Sequence, residues 1–412
     1  MTIAFPTVKV EIKWSQGPDW GDWVFPATLG VSGFGTSVYT DVSADVLSVS
    51  INRGKARELE EFRSGTARVM LLNNSRQYDP DYSSGPYYGD IKPGRMLKIT
   101  LTHPTTAVET VVYKGIIREF DYSYEPTGAG SGNSVVGVVC SDILYDAGNA
   151  QVSTTSTASK SGAQIGELLD IVGIADRDLD TGAHDMQATT YANANALTSI
   201  QNIAYSEGVD ISTVYGSKSN QFIFEDSASL AVKTSIGTFG TSALPIHKIG
   251  LTYESDLIKN SVAFTRTGGS EQTKTDATSI TDYGTRSLSK TGLVNATDGD
   301  VANLAQDAIN QFKDAEFRIR NMVLKPRANA DLMTKVIGME LRDKLVVEFA
   351  PPANNGSGPA TGTMSQTHFI VGLKMELKNQ DFTATVIMNS DTGKTAGWVL
   401  GSAVLGTSAL SW

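Results

Sequence analysis

Cysteine is nearly absent from this chain: Cys140 is its single copy. No intrachain disulfide and no cysteine-based zinc or iron–sulfur site is possible. The neighbours of Cys140 in VVGVVCSDIL are apolar, so a buried core thiol is expected. Histidine is scarce too. His103, His184, His247 and His368 are scattered, with no HExxH and no two within one helical turn. They are expected as solvated or capping residues. No block of basic residues is long enough to neutralise a run of phosphates, and the net charge is −10 with a pI near 5.0. The chain is therefore poorly suited to gripping nucleic acid. It still suits a wall past which nucleic acid slides. No segment approaches the length of a membrane span, so no stable membrane insertion is expected. MTIAFPTVKVEIKW lacks the basic and apolar runs of a signal peptide.

Catalytic patterns are missing as well. GVSGFG (30–35) has its glycines misplaced for a nucleophile elbow, and AYSEG (204–208) falls at a helix C-terminus. GAGSGN (128–133) joins two strands rather than opening a helix, so it reads as a hairpin loop and not as a phosphate cradle. Asp176, Asp178 and Asp180 in DRDLDTG imitate the start of a calcium loop. Thr181 stands where that loop needs glycine and Gln187 where it needs a carboxylate, so a solvated acidic turn is expected. Trp20 and Trp23 fit a loop pinned to its own domain better than a sugar platform. No cofactor and no enzymatic activity are expected.

What is present is β-rich. The chain has 412 residues, 40% hydrophobic and 19% charged, with 39 glycines marking frequent turns. That length calls for more than one domain. Residues 1–145 read as successive strands: KVEIKW, VLSVSINRG, TARVMLLN, MLKITLTH, ETVVYKGIIREFDYSY and NSVVGVVC, with Val8, Val10 and Ile12 on one face of the first. This spacing predicts a barrel-like or sandwich domain. Residues 146–245 change to a small α/β domain. Ile165, Leu168, Leu169 and Val172 form one helical stripe, and Leu197, Ile200 and Ala204 another that ends at Gly208. This part is acidic, with four Lys or Arg against ten Asp or Glu between 151 and 245. Residues 246–395 return to strands and are predicted to form a second β-barrel-like domain. One helix interrupts it, with Val301, Leu304, Ala305, Ala308, Ile309 and Phe312 on a stripe and Asp298 or Asp300 as cap. NNGSGPATGTMSQ (354–366) reads as a long hairpin tip. Residues 396–412 form an apolar tail, with VLGSA echoed by VLGTSA, that needs a partner surface.

The most distinctive stretch runs from Arg53 to Pro80, RGKARELEEFRSGTARVMLLNNSRQYDP. A dense block of mixed charge stands directly beside a strongly strand-like segment. With the residues that follow it, the stretch resembles the N-terminal signature of minor tail proteins of long-tailed bacteriophages. The resemblance rests on Arg57, Glu58, Leu59, Phe62, Gly65, Thr66, Asn73, Tyr78, Asp79, Pro80, Pro93, Gly94 and Arg95. LTSIQNIAYSEGVDIS followed by FIFED resembles the second domain of tail hub proteins, and so does SDLIKNSVAFTRTGG with the helix near 301–312.

The resemblance implies a mainly β fold with two β-barrel-like, tail-tube-type domains and an inserted α/β domain. It implies a homotrimeric ring at the tail tip of a virion, assembled in the host cytoplasm, whose lumen passes DNA without specific binding. A tail tube or distal tail protein lies above such a ring, and receptor-binding or tip proteins lie below. Arg57, Glu58, Glu61, Phe62 and Arg63 then form a candidate assembly contact, where mixed charges set register more than affinity. The competing reading of the block is a solvated helical turn. A hexameric distal tail ring and a carbohydrate-binding adhesin are the other functional readings.

Overall fold

In a computed structural model, the described residues are 3–14, 39–124, 134–209, 213–240, 243–350, 364–390 and the short pairs 399–400 and 403–404. Alternating apolar residues in the first third do form strands: β1 (Thr7–Lys13), β2 (Thr40–Asp41), β3 (Val46–Gly54), β4 (Arg63–Leu72), β5 (Met96–Thr102), β6 (Glu109–Tyr124) and β7 (Ser134–Ser141). The alternation buries Val49 and Ile51 on β3 against Ala67, Val69 and Leu71 on β4. β7 is apolar on both faces, and Cys140 lies fully buried in it as expected. Burial pushes its thiol well above the ordinary range.

The next stretch holds α1 (Ile143–Asn149), β8 (Gln151–Thr155), β9 (Ser159–Lys160), α2 (Ser161–Val172), β10 (Arg177–Leu179), β11 (Asp185–Met186), β12 (Thr190–Asn195), α3 (Ala196–Glu207), β13 (Thr213–Gly216), β14 (Phe222–Glu225) and α4 (Ser227–Val232). The helical stripes fall as the periodicity predicts, with Ile165, Leu168, Leu169 and Ile200 fully buried. α2 stops at Gly173, in the left-handed conformation that glycine adopts without strain. β10, β14 and β13 form a three-stranded sheet in that order.

The remaining elements are β15 (Ser235–Gly240), β16 (Lys248–Tyr253), β17 (Ser261–Arg266), β18 (Gln272–Thr275), α5 (Ala277–Tyr283), β19 (Ser287–Leu293), α6 (Asp298–Phe312), β20 (Phe317–Leu324), α7 (Ala330–Gly338), β21 (Lys344–Phe349), β22 (Met364–Lys378), β23 (Asp381–Ser390), β24 (Val399–Leu400) and β25 (Ala403–Val404). α6 buries its whole predicted stripe. Its cap is Thr297 rather than Asp298 or Asp300. Asp300 instead reaches back to Thr297 and closes a capping box.

Strands of the two segments expected to be barrel-like join in one sheet. Among the described residues no barrel closes. One thirteen-stranded sheet runs in the order β16-β20-β23-β22-β3-β4-β7-β6-β5-β1-β2, with β21 also on β22 and β15 on β21. The seam is the antiparallel pairing of β3 with β22, from Ser48 opposite Lys378 to Gly54 opposite Gly372. β22 is long enough to serve two partners on one edge. Met364 to Phe369 pair with β21, and the chain beyond Gly372 pairs with β3. Where they meet, the backbones nearly touch: a Cβ on Gly54 (φ 91°) would lie 2.2 Å from the Val371 carbonyl, and one on Gly372 would lie 2.5 Å from that of Lys55. Only glycine fits there.

NSVAFTRTGG forms a strand as its pattern predicts. Its strand, β17, does not join the large sheet. It pairs with β18 and β19 under α6, around a separate small core that includes Val262, Phe264, Ile309 and Phe312. No helix among the described residues is long and apolar enough to cross a membrane.

Candidate assembly surface

The charged block is the connection from β3 to β4, and it is not a helical turn. β3 ends at Gly54, the chain passes beneath β22, and Leu59 takes a left-handed φ of 61°. A branched side chain is rarely found in that conformation, so the surroundings must hold it there. They do so through side chains that turn inward. The Arg53 side chain is buried, donates to the Gly216 carbonyl at 2.7 Å and pairs with the Glu340 carboxylate. Glu340 also accepts the backbone N–H groups of Lys218 and Leu341, each at 2.8 Å. Lys55 is buried with its ammonium 5.3 Å from the centre of the Phe62 ring. Glu58 meets Arg318 at 2.6 Å with both side chains 6% exposed, and Arg318 also pairs with Glu316 at 3.1 Å. Phe62 packs on Tyr215, ring centres 5.9 Å apart, and its carbonyl accepts the Gln201 side chain at 2.9 Å.

Arg57 and Glu61 are exposed, and Arg63 is 78% exposed at 4.0 Å from Glu60. The five sequence-selected residues therefore divide. Glu58 and Phe62 face the interior of their own chain, while Arg57, Glu61 and Arg63 face outward from a segment fixed at both ends. The partners that fix it, Arg318, Glu340, Tyr215 and Gln201, escape sequence reasoning. Each lies more than a hundred residues away, and nothing local marks it.

Beside the block sits a buried acid that the sequence signals only as a helix cap. Asp142 follows β7 and caps α1 by accepting Leu144 N–H at 3.1 Å. Its other oxygen accepts Gly65 N–H at 2.8 Å, and Ser64 Oγ donates at 3.0 Å. A Cβ on Gly65 or Gly216 would fall 2.6 or 2.5 Å from this carboxylate, which explains glycine at both. Burial pushes the Asp142 carboxyl up to about 6, against the opposing pull of its hydrogen bonds and of Arg53.

The β4–β5 connection, which carries the rest of the signature, is held by contacts within itself and with neighbouring elements of the first third of the chain. Asn73 is fully buried and accepts Tyr78 N–H at 3.0 Å. Tyr78 Oη donates to Asp45 at 2.7 Å, Arg76 pairs with Asp79 at 2.7 Å, and Arg95 donates to the Asp90 carbonyl at 2.9 Å. Trp14 and Tyr87 stack beneath at 4.7 Å.

The other sequence candidates resolve simply. Asp178 lies within strand β10, and the Asp180 carboxylate accepts Asp226 N–H at 2.9 Å. Among the described residues no three His, Cys, Asp or Glu side chains gather as a metal site. His103 is buried rather than solvated. Its Nδ1 accepts the N–H groups of Thr105 and Thr106, and Nε2 faces the Ala330 carbonyl, all at 3.1 Å. His368 is also buried, within β22. Trp20 and Trp23, GVSGFG, GAGSGN, most of the 354–366 segment and most of the apolar tail lie outside the described residues.

No protein-family model matches this sequence, and no curated protein matches it. Solved structures do. The 43 kDa tail protein of prophage MuSo2 from Shewanella oneidensis is similar over 93% of this chain and 97% of its own, with 11% identity and a TM-score of 0.56. The tail protein from Neisseria meningitidis MC58 is similar over the same shares, with 10% identity and a TM-score of 0.57. This chain has the mainly β fold of those two tail proteins.

Proposed function

We propose that this chain is a structural protein of a phage-type tail, a hub at the tail tip. Copies of it form a ring around the DNA channel and link the tail tube to host-recognition proteins. The observation that carries the reading is the fold shared with two tail proteins along nearly the whole of both chains. The sequence resemblance at 53–95 supports it independently. In this reading the chain is not an enzyme, belongs to the virion, and lets DNA pass through without specific binding. Segments 1–145 and 246–395 supply the repeated ring-forming parts, and 146–245 is an α/β domain inserted between them.

The block at 53–63 presents Arg57, Glu61 and Arg63 to a neighbouring copy or ring, and Glu58 and Phe62 hold that surface rigid from behind. A fixed charged surface selects register and partner at little conformational cost. Electron-microscope averaging of tails, or of the assembled recombinant protein, tests the reading. Three-fold symmetry with six similar lobes is the expected result. True six-fold symmetry would make the chain a distal ring protein instead, and no ring at all would overturn assembly.

A further inference from the structure

The β4–β5 connection begins as a series of linked turns. The carbonyls of Asn73, Arg76, Asp79, Tyr82 and Gly85 accept the N–H groups of Arg76, Asp79, Tyr82, Gly85 and Tyr88 respectively, at 2.8 to 3.2 Å. Side chains three residues apart fall side by side in such a spiral. The Arg76 guanidinium accordingly lies 5.0 Å from the centre of the Tyr82 ring. It donates to the Asp79 carboxylate from Nε at 3.0 Å and from Nη2 at 2.7 Å. Tyr124 Oη reaches the same carboxylate at 3.4 Å, and the Tyr122 and Tyr124 rings stack 6.3 Å apart and 8° from parallel. Each contact leads to the next, from β6 into the turns.

Much of this surface is open. Tyr88 is 54% exposed and Tyr124 49%, and Arg76 is exposed as well. It is nevertheless fixed from beneath. Tyr122 Oη donates to the Tyr78 carbonyl at 2.8 Å, and Tyr87 stacks on both Trp14 and Tyr78. Arg76 takes a left-handed φ of 59°, which is uncommon for such a residue, and its contacts hold it there. Tyrosine, serine and arginine on a rigid backbone suit a protein-binding surface, because tyrosine covers a large area while losing little rotamer freedom.

Electrostatics narrow the partner. Residues 73–90 carry one arginine against three aspartates, and Asp81 and Asp90 are exposed. Burial holds the Tyr122 and Tyr124 phenols above their ordinary range, and the Asp79 and Asp81 charges add to the shift. The surface already shows how it takes a cation, since Arg76 is gripped between an aromatic face and a carboxylate. Tyr88 and Tyr124 as open rings, and Asp81 and Asp90 as open carboxylates, offer the same two features to cations from outside. A second copy of this chain, at net charge −10, is a poor source of them.

We propose that this surface docks a different protein, through a segment that presents arginine or lysine side chains to Tyr88 and Tyr124. The inference goes beyond the ring reading and does not depend on it.

Tyr88→p-benzoyl-phenylalanine tests it. The full chain carrying this photo-cross-linker replaces the wild type in the cells that make it, the cells are irradiated, and the joined peptides are sequenced by mass spectrometry. The expected product joins position 88 to an arginine- or lysine-containing segment of another protein. Its yield should fall about tenfold or more when Asp81→Lys is added, with the urea midpoint unchanged because Asp81 is exposed. A product joined to a second copy of this chain overturns the proposal. So does a yield indifferent to Asp81→Lys, or no protein product at all. Binding of the purified chain to a glycan array, lost in Tyr88→Ser/Tyr124→Ser, with no protein product formed, would give the surface to a sugar and overturn it too. A basic partner that is not a tail component would support the docking surface and overturn the tail reading.

Discussion

The connections on either side of β4 make an instructive pair. Both are polar, both flank the same strand, and both carry residues of the phage-tail signature. The β3–β4 connection is held by partners at Gln201, Tyr215, Arg318 and, through Arg53 at its entry, Glu340. The β4–β5 connection is held within the first third of the chain, by its own pairs of Asn73 with Tyr78, Arg76 with Asp79 and Arg95 with Asp90, and by Asp45 and Tyr122 on Tyr78. One is a clasp across the chain, and the other is a turn braced by nearby strands of the same region. Similar composition therefore produces different mechanical roles. Charge in the clasp is a fold determinant on its inner side and an assembly candidate only on its outer side.

The largest expected effect is at the clasp's entry. In Gly54→Ala the new methyl meets the Val371 carbonyl at a position whose backbone cannot yield without parting β3 from β22. A loss of about 4 kcal/mol or more is expected, read as a collapse of the urea midpoint or as insoluble protein. Next comes Glu58→Ala, which strips the buried Arg318 guanidinium of its closest carboxylate, at 2.6 Å. About 3–5 kcal/mol is expected from breaking such a pair. The double variant Glu58→Leu/Arg318→Met should recover a substantial part of it. If the double variant unfolds as readily as the single one, packing rather than charge holds the clasp.

Asp142 gives a pH signature. Its folded pKa of about 6 lies above the usual aspartate value of 3.8, so the folded state binds the proton more tightly than the unfolded state. Its stabilising contribution is full below about pH 4 and is lost as pH rises through 6. The difference amounts to about 3 kcal/mol. Urea midpoints of wild type and Asp142→Asn, compared between pH 4 and 7, should converge or cross. A constant offset between the two would remove Asp142 as the titrating group.

The locally braced turn should be more forgiving. Gly94 also has a positive φ (86°), but a Cβ there meets nothing within 4 Å. Gly94→Ala is expected to cost about 1–2 kcal/mol, the backbone term alone. If Gly94→Ala proved as damaging as Gly54→Ala, the distinction between clasp and turn would fail.

How far the sequence can be read follows the same division. Strand alternation in β3 and β4, the buried environment of Cys140 and the whole α6 stripe depend on spacing within one element, and all were readable. The seam between β3 and β22 was not, because Ser48 and Lys378 carry no mark of each other. Two barrel-like domains were expected because each run of strands was read by itself. The sheet that β17 joins was unreadable for the same reason, since alternation in SVAFTR says strand without saying which sheet. Of the five candidate contact residues, spacing could not sort inward from outward. That required Gly54 and the left-handed Leu59 to set the path of the chain.

The smallest expected effect on the fold is at Glu61, and it isolates the outer side of the clasp. Glu61→Lys alters an exposed side chain on a backbone already fixed by Glu58 and Phe62. Its cost to stability should stay within about 0.5 kcal/mol. Ring formation should nevertheless weaken, and more so at low ionic strength, where charge contacts across an interface are least screened. Arg57→Glu in the same chain changes the local charge in the opposite sense. If the two exposed charges meet complementary charges on a neighbour, each reversal alone should disturb assembly, and the pair should not add simply. Unchanged stability with unchanged assembly in all three variants would confine the block's role to its inner side, as a clasp within one subunit.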